Sequence, residues 1–163
     1  EISECLVGSE MCIRDRFLIW KMPIFITCMC GKLYEVNQRG RQKMKKILLI
    51  DDDISSLKGL QMCFSVKHFP TVSATSVSEA QRLLDTEEIS LVCTDWDLPG
   101  GRSGLDVLAY VRERNIPVVF LTGHDEESYE KRALEQGAVR YYVKGQFSYL
   151  KFRDDLIELA NKE

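Results

Sequence analysis

Residues 46–53 read KILLIDDD, so that a short run of apolar residues leads directly into three consecutive carboxylates. A continuous apolar run of this length is typical of a parallel strand that is covered on both faces. The run at 47–50 is therefore predicted to be the first strand of a sheet. Comparable runs, which predict further strands, lie at 90–93, 118–121 and 141–143, with a weaker candidate at 71–75.

The segments between these runs carry apolar residues at helical spacing. The residues predicted to share one face of each helix are, in chain order, Leu57, Leu60 and Phe64; Ala80, Leu83 and Leu84; Leu105, Leu108 and Ala109; Tyr129, Ala133 and Leu134; and Tyr149, Phe152, Leu156, Leu159 and Ala160. Ser103-x-x-Asp106 predicts a capping box at the start of the third helix, and Gly137 predicts the end of the fourth. The alternation predicts an α/β fold, a doubly wound five-stranded parallel sheet flanked by five helices.

The composition limits the classes of protein to consider. The chain has 163 residues and a net charge of −3. It therefore lacks the excess of positive charge that favours binding to nucleic acid or to a lipid surface. It also lacks an apolar run of the roughly 20 residues that span a bilayer. We expect a cytoplasmic protein that binds neither nucleic acid nor membrane directly.

The first part of the chain does not follow the strand and helix pattern. Residues 6–16, LVGSEMCIRDR, fit one reading frame of a transposase-type sequencing adapter, so we interpret residues 1–16 as an adapter-derived artefact. Residues 17–43 are either translated upstream sequence or a native extension. Residues 44–163 are predicted to form the domain, which is either a stand-alone unit or the first part of a longer gene product.

Polar residues fall where the predicted strands end. Asp51, Asp52 and Asp53 follow the first strand, Asp95 ends the third, Thr122 ends the fourth and Lys144 ends the fifth. In an open α/β sheet, ligands bind outside the carboxyl ends of the strands. We therefore expect these side chains to meet at one edge of the sheet.

The chemistry of this set follows from its charges. Clustered carboxylates repel each other unless a cation is present, and Mg²⁺ binds oxygen ligands from one or two carboxylates and a phosphoryl group. An aspartate beside such an ion is a candidate nucleophile for forming an aspartyl-phosphate. Lys144 could neutralise the phosphoryl charge and the Thr122 hydroxyl could donate to it, as phosphoryl transfer requires.

The motifs ILLIDDD at 47–53, DWDLPG at 95–100, LTG at 121–123 and GAVRYYVK at 137–144 resemble those of the receiver domain of two-component response regulators. The resemblance implies a CheY-like, flavodoxin-like sheet of strand order 2-1-3-4-5. It implies that Asp95 is the phosphoacceptor, which takes phosphate from a sensor histidine kinase or a histidine phosphotransfer protein. Self-phosphorylation and autodephosphorylation are then the only reactions expected, so the protein is not an enzyme in the usual sense.

The same resemblance implies the metal ligands and the switch. Asp52 and Asp95, with the backbone carbonyl of Asp97, would bind Mg²⁺ or Mn²⁺, and Asp51 would act mainly through water. Thr122 and Lys144 would sense the phosphoryl group. Tyr141 would turn inward when Thr122 moves, which would alter the face built from the fourth helix, fifth strand and fifth helix for an unknown downstream partner.

Several residues depart from the pattern or extend it. Gly145 stands where receivers usually have proline, so the bond after Lys144 is either trans or strained. Val139 and Arg140 replace an acidic pair that is common in receivers that dimerise through this face. Asp97 and His124 border the site, and we hypothesise that an acidic Asp97 alters the hydrolysis rate of the phosphoryl group.

Trp96, next to Asp95, is predicted to be a half-exposed loop residue, and Asp53 to cap the first helix.

Two alternatives compete with a phosphorylated receiver. A degenerate receiver would act only as a protein-binding module. A phosphohydrolase of the haloacid dehalogenase type would use Asp51 and Asp53, but it needs a second acidic pair at a strand end after the lysine. Asp154 and Asp155 lie instead in the last predicted helix, and Asp95 would then have no role.

Overall fold

The computed structural model describes residues 45–162, which contain every predicted strand and helix. The elements that build its main sheet and the helices around it are, in chain order, β1 (Lys46–Ile50), α1 (Ile54–Ser65), β2 (Thr71–Ala74), α2 (Val77–Thr86), β3 (Ile89–Thr94), α3 (Gly104–Val111), β4 (Val118–Thr122), α4 (Glu127–Glu135), β5 (Arg140–Val143) and α5 (Tyr149–Asn161). The interpretations of residues 1–16 and 17–43 lie outside the described residues.

The five long strands form one parallel sheet of order β2-β1-β3-β4-β5. This order confirms the predicted fold class, a flavodoxin-like doubly wound sheet. The chain runs outward from β1 in both directions, so that β1 and β3 are neighbours although a helix and a strand separate them in sequence. Ligand sites in such sheets lie at the carboxyl ends of these central strands.

Alternate residues of the central strands face the two sides of the sheet, as strand geometry requires. Leu48 and Ile50 of β1 belong to a core with apolar residues of α2, α3 and α4. Ile47 and Leu49 belong to a second core with residues of α1 and α5. Both faces of β1 are thus covered, which explains why its sequence is continuously apolar.

The helix boundaries agree with the local signals. The carboxylate of Asp53 accepts hydrogen bonds from the backbone N–H groups of Ser55 and Ser56, which caps α1 as predicted. The Asp106 carboxylate accepts from the Ser103 N–H, completing the predicted capping box of α3. Gly137 has a φ of +105°, which a residue without Cβ adopts most readily, and it follows the end of α4.

Some predicted helix faces are wrong at their margins. Ala109, Leu134 and Tyr149 are exposed, although the spacing placed them with the core. Helical spacing identifies the direction of the buried stripe but not its width, which depends on how closely the helix packs on the sheet. In α3 the buried stripe instead includes Val107 and Val111.

A short antiparallel hairpin, which the sequence patterns did not predict, lies between β3 and α3. It pairs Asp97–Leu98 with Arg102–Ser103. Gly100 and Gly101 in its turn have φ values of +78° and +69°. The hairpin matters because it fixes the backbone of Asp97, two residues beyond Asp95.

None of the helices in residues 45–162 has both the length and the apolar character needed to cross a bilayer.

Candidate functional site

The ends of β1, β3, β4 and β5 bring the predicted site residues to one edge of the sheet. Backbone hydrogen bonds extend the sheet pairing to these positions, because the Asp95 N–H donates to Ile50 O at 2.8 Å and the Lys144 N–H donates to Thr122 O at 2.7 Å. The positions are therefore held by the sheet itself rather than by free loops. Such support gives a site more precise geometry than a mobile loop provides.

Three carboxylates meet at this edge. Asp51, Asp52 and Asp95 each offer an oxygen atom, and these atoms lie within 4.8 Å of one another. Asp51 is buried, with 2% of its surface exposed, whereas Asp52 is exposed and Asp95 is half-buried. The cluster is thus open to solvent on one side and enclosed on the other.

The Lys144 ammonium joins two of these carboxylates. Its Nζ lies 2.8 Å from Oδ2 of Asp51 and 2.5 Å from Oδ2 of Asp95. Burial alone would lower the pKa of Lys144, but the hydrogen bonds to Asp51 and Asp95 outweigh it, and the pKa is raised above its ordinary value. The side chain therefore carries a positive charge at neutral pH.

Thr122 and Tyr141 lie on the neighbouring strands β4 and β5. The Thr122 residue is 1% exposed, and its hydroxyl oxygen lies 3.4 Å from the His124 backbone N–H. The Tyr141 hydroxyl donates to the backbone carbonyl of His124 at 3.0 Å. Burial, together with the nearby charges of Glu126 and Glu130, raises the pKa of Tyr141 to about 12. The two predicted switch residues thus both contact the backbone of His124.

Asp97 and His124 form a pair at the rim of the site. Oδ2 of Asp97 lies 2.7 Å from Nε2 of His124, although the Asp97 side chain is 78% exposed.

Asp53, the second carboxylate of the phosphohydrolase alternative, is engaged in capping α1. That alternative also needs a second acidic pair at a strand end after Lys144, but in the described part of the chain the pair that follows, Asp154 and Asp155, lies within α5.

Trp96 is not the half-exposed loop residue that the sequence predicted, because only 6% of its surface is exposed. Its ring lies 5.4 Å from the ring of Phe120 on β4 and 4.7 Å from that of Tyr129 on α4. The prediction was wrong because the burial of Trp96 depends on its contact with Tyr129, and that contact is set by where α4 packs over the sheet. The helical spacing placed Tyr129 on a buried face, but nothing in the sequence paired it with Trp96.

Gly104, the first residue of α3, was also missed as a contributor to the site. A Cβ at this position would lie 2.7 Å from Cε1 of Phe120 and 2.9 Å from Cγ2 of Thr94, and it would also clash with the backbone carbonyl of Asp95. The Gly104 N–H donates to Trp96 O at 2.9 Å. The absence of a side chain therefore lets α3 approach the backbone that carries Asp95.

The donor set at this edge fits a hard divalent cation. Carboxylate and carbonyl oxygens are the ligands that Mg²⁺ and Mn²⁺ favour, and three carboxylates within one ion's reach carry more negative charge than Lys144 alone can balance. Asp51, Asp52 and Asp95 are the side chains that could hold such an ion, and each of them was predicted as a ligand or as acting through a bound water.

The geometry agrees with comparisons to known proteins. The family model of the response regulator receiver domain matches residues 47–150. The chain therefore belongs to the response regulator receiver domain family, a family of two-component signalling proteins.

Individual relatives support the same assignment. The chain is 33% identical over 99 residues to the aerobic respiration control protein ArcA of Escherichia coli K12, covering 60% of this chain and 41% of that protein. It is 33% identical over 105 residues to the alginate biosynthesis transcriptional regulatory protein AlgB of Pseudomonas aeruginosa, covering 63% of this chain and 23% of that protein. The chain thus spans less than half the length of these curated relatives.

A solved structure extends the comparison to the fold. The crystal structure of a response regulator receiver domain protein from Clostridium thermocellum has a TM-score of 0.64 and 26% identity, covering 72% of this chain and 94% of that chain. Sequence and structure thus lead to the same family.

Proposed function

We propose that this protein accepts a phosphoryl group on Asp95 from the phosphohistidine of a sensor histidine kinase or a histidine phosphotransfer protein. Residues 44–163 would form the receiver unit, acting in the cytoplasm without direct contact to nucleic acid or membrane. The observation that carries the proposal is that the Lys144 ammonium donates hydrogen bonds to both Asp51 and Asp95. Such an arrangement holds positive charge where a phosphoryl group on Asp95 would add negative charge.

The proposed transfer is an in-line displacement at phosphorus. A carboxylate oxygen of Asp95 forms the new O–P bond while the P–N bond to the donor imidazole breaks, and the imidazole leaves with the electron pair. Lys144 neutralises charge on the transferred group, and the Thr122 hydroxyl donates a hydrogen bond to it. A divalent cation, Mg²⁺ or Mn²⁺, would supply further charge neutralisation when bound by the carboxylates and the backbone carbonyl of Asp97.

The signal would leave through the face formed by α4, β5 and α5. Tyr141 is the proposed link, because its hydroxyl contacts the residue two positions beyond Thr122. A groove of about 630 Å³ on this face is lined by Tyr141, Tyr142 and Phe147 among others. Phosphorylation would shift the populations of two arrangements of this face, and a downstream protein would bind one of them more tightly.

The test is the intact mass of the full chain after incubation with acetyl phosphate and Mg²⁺. We expect the parent to gain one phosphoryl group and Asp95→Asn to gain none. Asp106→Asn, which alters a carboxylate that caps α3 instead of facing the site, is the matched control and should gain the group.

Two results would contradict the proposal. Phosphorylation of both the parent and Asp95→Asn would mean that Asp95 is not the acceptor. A parent that gains no mass under any concentration of Mg²⁺ or Mn²⁺, with small donors and with a phosphohistidine protein, would favour the degenerate receiver that acts only by binding partners.

A further inference from the structure

His124 connects the segments that follow β3 and β4, next to Asp95 and Thr122. Asp97 follows Asp95 by two positions, His124 follows Thr122 by two positions, and the 2.7 Å contact between Asp97 Oδ2 and His124 Nε2 joins them. Strands β3 and β4 are hydrogen-bonded neighbours, so this contact continues their pairing beyond the sheet with side chains.

Tyr129, near the start of α4, holds the His124 ring from behind. The two rings are stacked, with centroids 4.2 Å apart and an interplanar angle of 4°. Aromatic rings in this arrangement attract each other beyond the effect of their burial. The stack therefore restricts the rotation of His124 and keeps Nε2 directed at Asp97.

The same tyrosine also touches the loop that carries the acceptor. Its ring meets the Trp96 ring edge-on at 4.7 Å, and the guanidinium of Arg132, three residues later on α4, lies 5.9 Å from the Trp96 centroid. Trp96 directly follows Asp95, and its backbone N–H donates to Oδ1 of Asp95 at 2.5 Å. Tyr129 thus contacts residues on both loops at the site, although it is absent from the predicted site residues.

We propose that Tyr129 is a positioning residue for phosphoryl lifetime: its ring holds His124 against Asp97 and thereby limits the fraction of time in which the Asp97 carboxylate can assist hydrolysis. This inference rests on the proposed function, because it needs a phosphoryl group on Asp95. Hydrolysis forms a bond from a water oxygen to phosphorus and breaks the P–O bond to Asp95, which restores the carboxylate. The water proton passes to a base, either the departing phosphate or a free carboxylate.

Asp97 can act as that base in the fraction of molecules in which His124 has released it, and the Tyr129 ring keeps that fraction small. An oxygen that accepts a short hydrogen bond from an imidazole is a poorer acceptor for an attacking water, and its direction is fixed. Since 78% of the Asp97 side chain is exposed, few other contacts would hold the carboxylate in place once His124 turned away. Loss of the Tyr129 ring should therefore make the phosphoryl group shorter-lived.

The experiment measures the phosphoryl half-life by intact mass after the donor is removed. Tyr129→Leu should shorten the half-life about two- to tenfold, which is the change in rate that corresponds to losing the interaction free energy of one aromatic pair. Tyr129→Phe keeps the ring and should preserve the half-life of the parent. In an Asp97→Asn background, Tyr129→Leu should have no effect, because the carboxylate that it releases is gone.

A purely structural role for Tyr129 makes different predictions. It would shorten the half-life equally in both backgrounds, and that result would overturn the proposal, as would an unchanged half-life in Tyr129→Leu. If Tyr129→Leu fails to fold, His124→Ala removes the same contact from the other side and must show the same shortening and the same dependence on Asp97. Failure of the proposed function is distinct, because the parent would then gain no phosphoryl group.

Discussion

The Nζ atom of Lys144 lies 2.5 Å from Oδ2 of Asp95, across 49 residues of sequence. The same ammonium reaches Oδ2 of Asp51 at 2.8 Å, in a carboxylate cluster that also fits a divalent cation. Before any phosphoryl group arrives, Lys144 and a bound cation therefore share the same negative charges. Each should weaken the binding of the other.

Lys144→Met is expected to bind Mg²⁺ more tightly while accepting phosphate more slowly. Removing the ammonium leaves Asp51 and Asp95 unbalanced, so the cation should bind about fivefold tighter, which corresponds to roughly 1 kcal/mol. Isothermal titration calorimetry measures the affinity and intact mass follows the transfer. The exposed Lys151 provides a control, and weaker Mg²⁺ binding by Lys144→Met than by Lys151→Met would contradict the competition.

Gly104→Ala is expected to destabilise the protein by about 1–3 kcal/mol, the range for overpacking a close contact. The added Cβ would lie 2.7 Å from Phe120 and would press on the backbone of Asp95, so phosphorylation should slow as well. Urea denaturation measures the free energy of unfolding.

Gly59→Ala is the matched control for this prediction. Gly59 lies in α1 with no atom within 4 Å of its Cβ direction, so alanine there should stabilise the helix by about 0.5–1 kcal/mol. Equal effects of the two substitutions would mean that the close approach at Gly104 has no energetic consequence.

Asp97→Asn is expected to lengthen the phosphoryl half-life. The substitution removes a carboxylate that could orient or deprotonate water, so a change of about two- to tenfold is expected, below the roughly hundredfold effect of a well-placed general base. The exposed Asp125 beside His124 offers a control, since Asp125→Asn makes the same change of net charge outside the pair. An unchanged half-life in Asp97→Asn would remove the hypothesis.

Tyr141 is expected to ionise near pH 12, because burial raises its pKa to about 12. The ordinary tyrosine pKa is about 10, so the fold favours the neutral phenol. Its contribution to stability is complete below pH 10 and is lost as the pH rises through 12. Ultraviolet difference absorbance between the parent and Tyr141→Phe isolates this titration, and the denatured chain should titrate near 10. Identical titrations in folded and denatured protein would contradict the prediction.

Much of the molecule was predictable because it depends on local patterns. The apolar run at 47–50 identified β1, and Asp53 and Gly137 marked helix ends through hydrogen-bonding and backbone preferences that act within a few residues. Asp51, Asp95 and Lys144 could be placed together from sequence because parallel strands deliver their ends to one edge of the sheet. Strand periodicity and connection handedness carry such information without any knowledge of side-chain packing.

What the tertiary structure alone decided lies between elements. The burial of Trp96, the stack of Tyr129 on His124 and the close approach at Gly104 depend on where α3 and α4 pack across the sheet. Helical spacing gives the direction of a buried face, but the distance and rotation of a helix against its neighbours follow from the fit of many side chains at once. The sequence alone therefore determined which residues form the charged site. Packing determined which uncharged neighbours surround it.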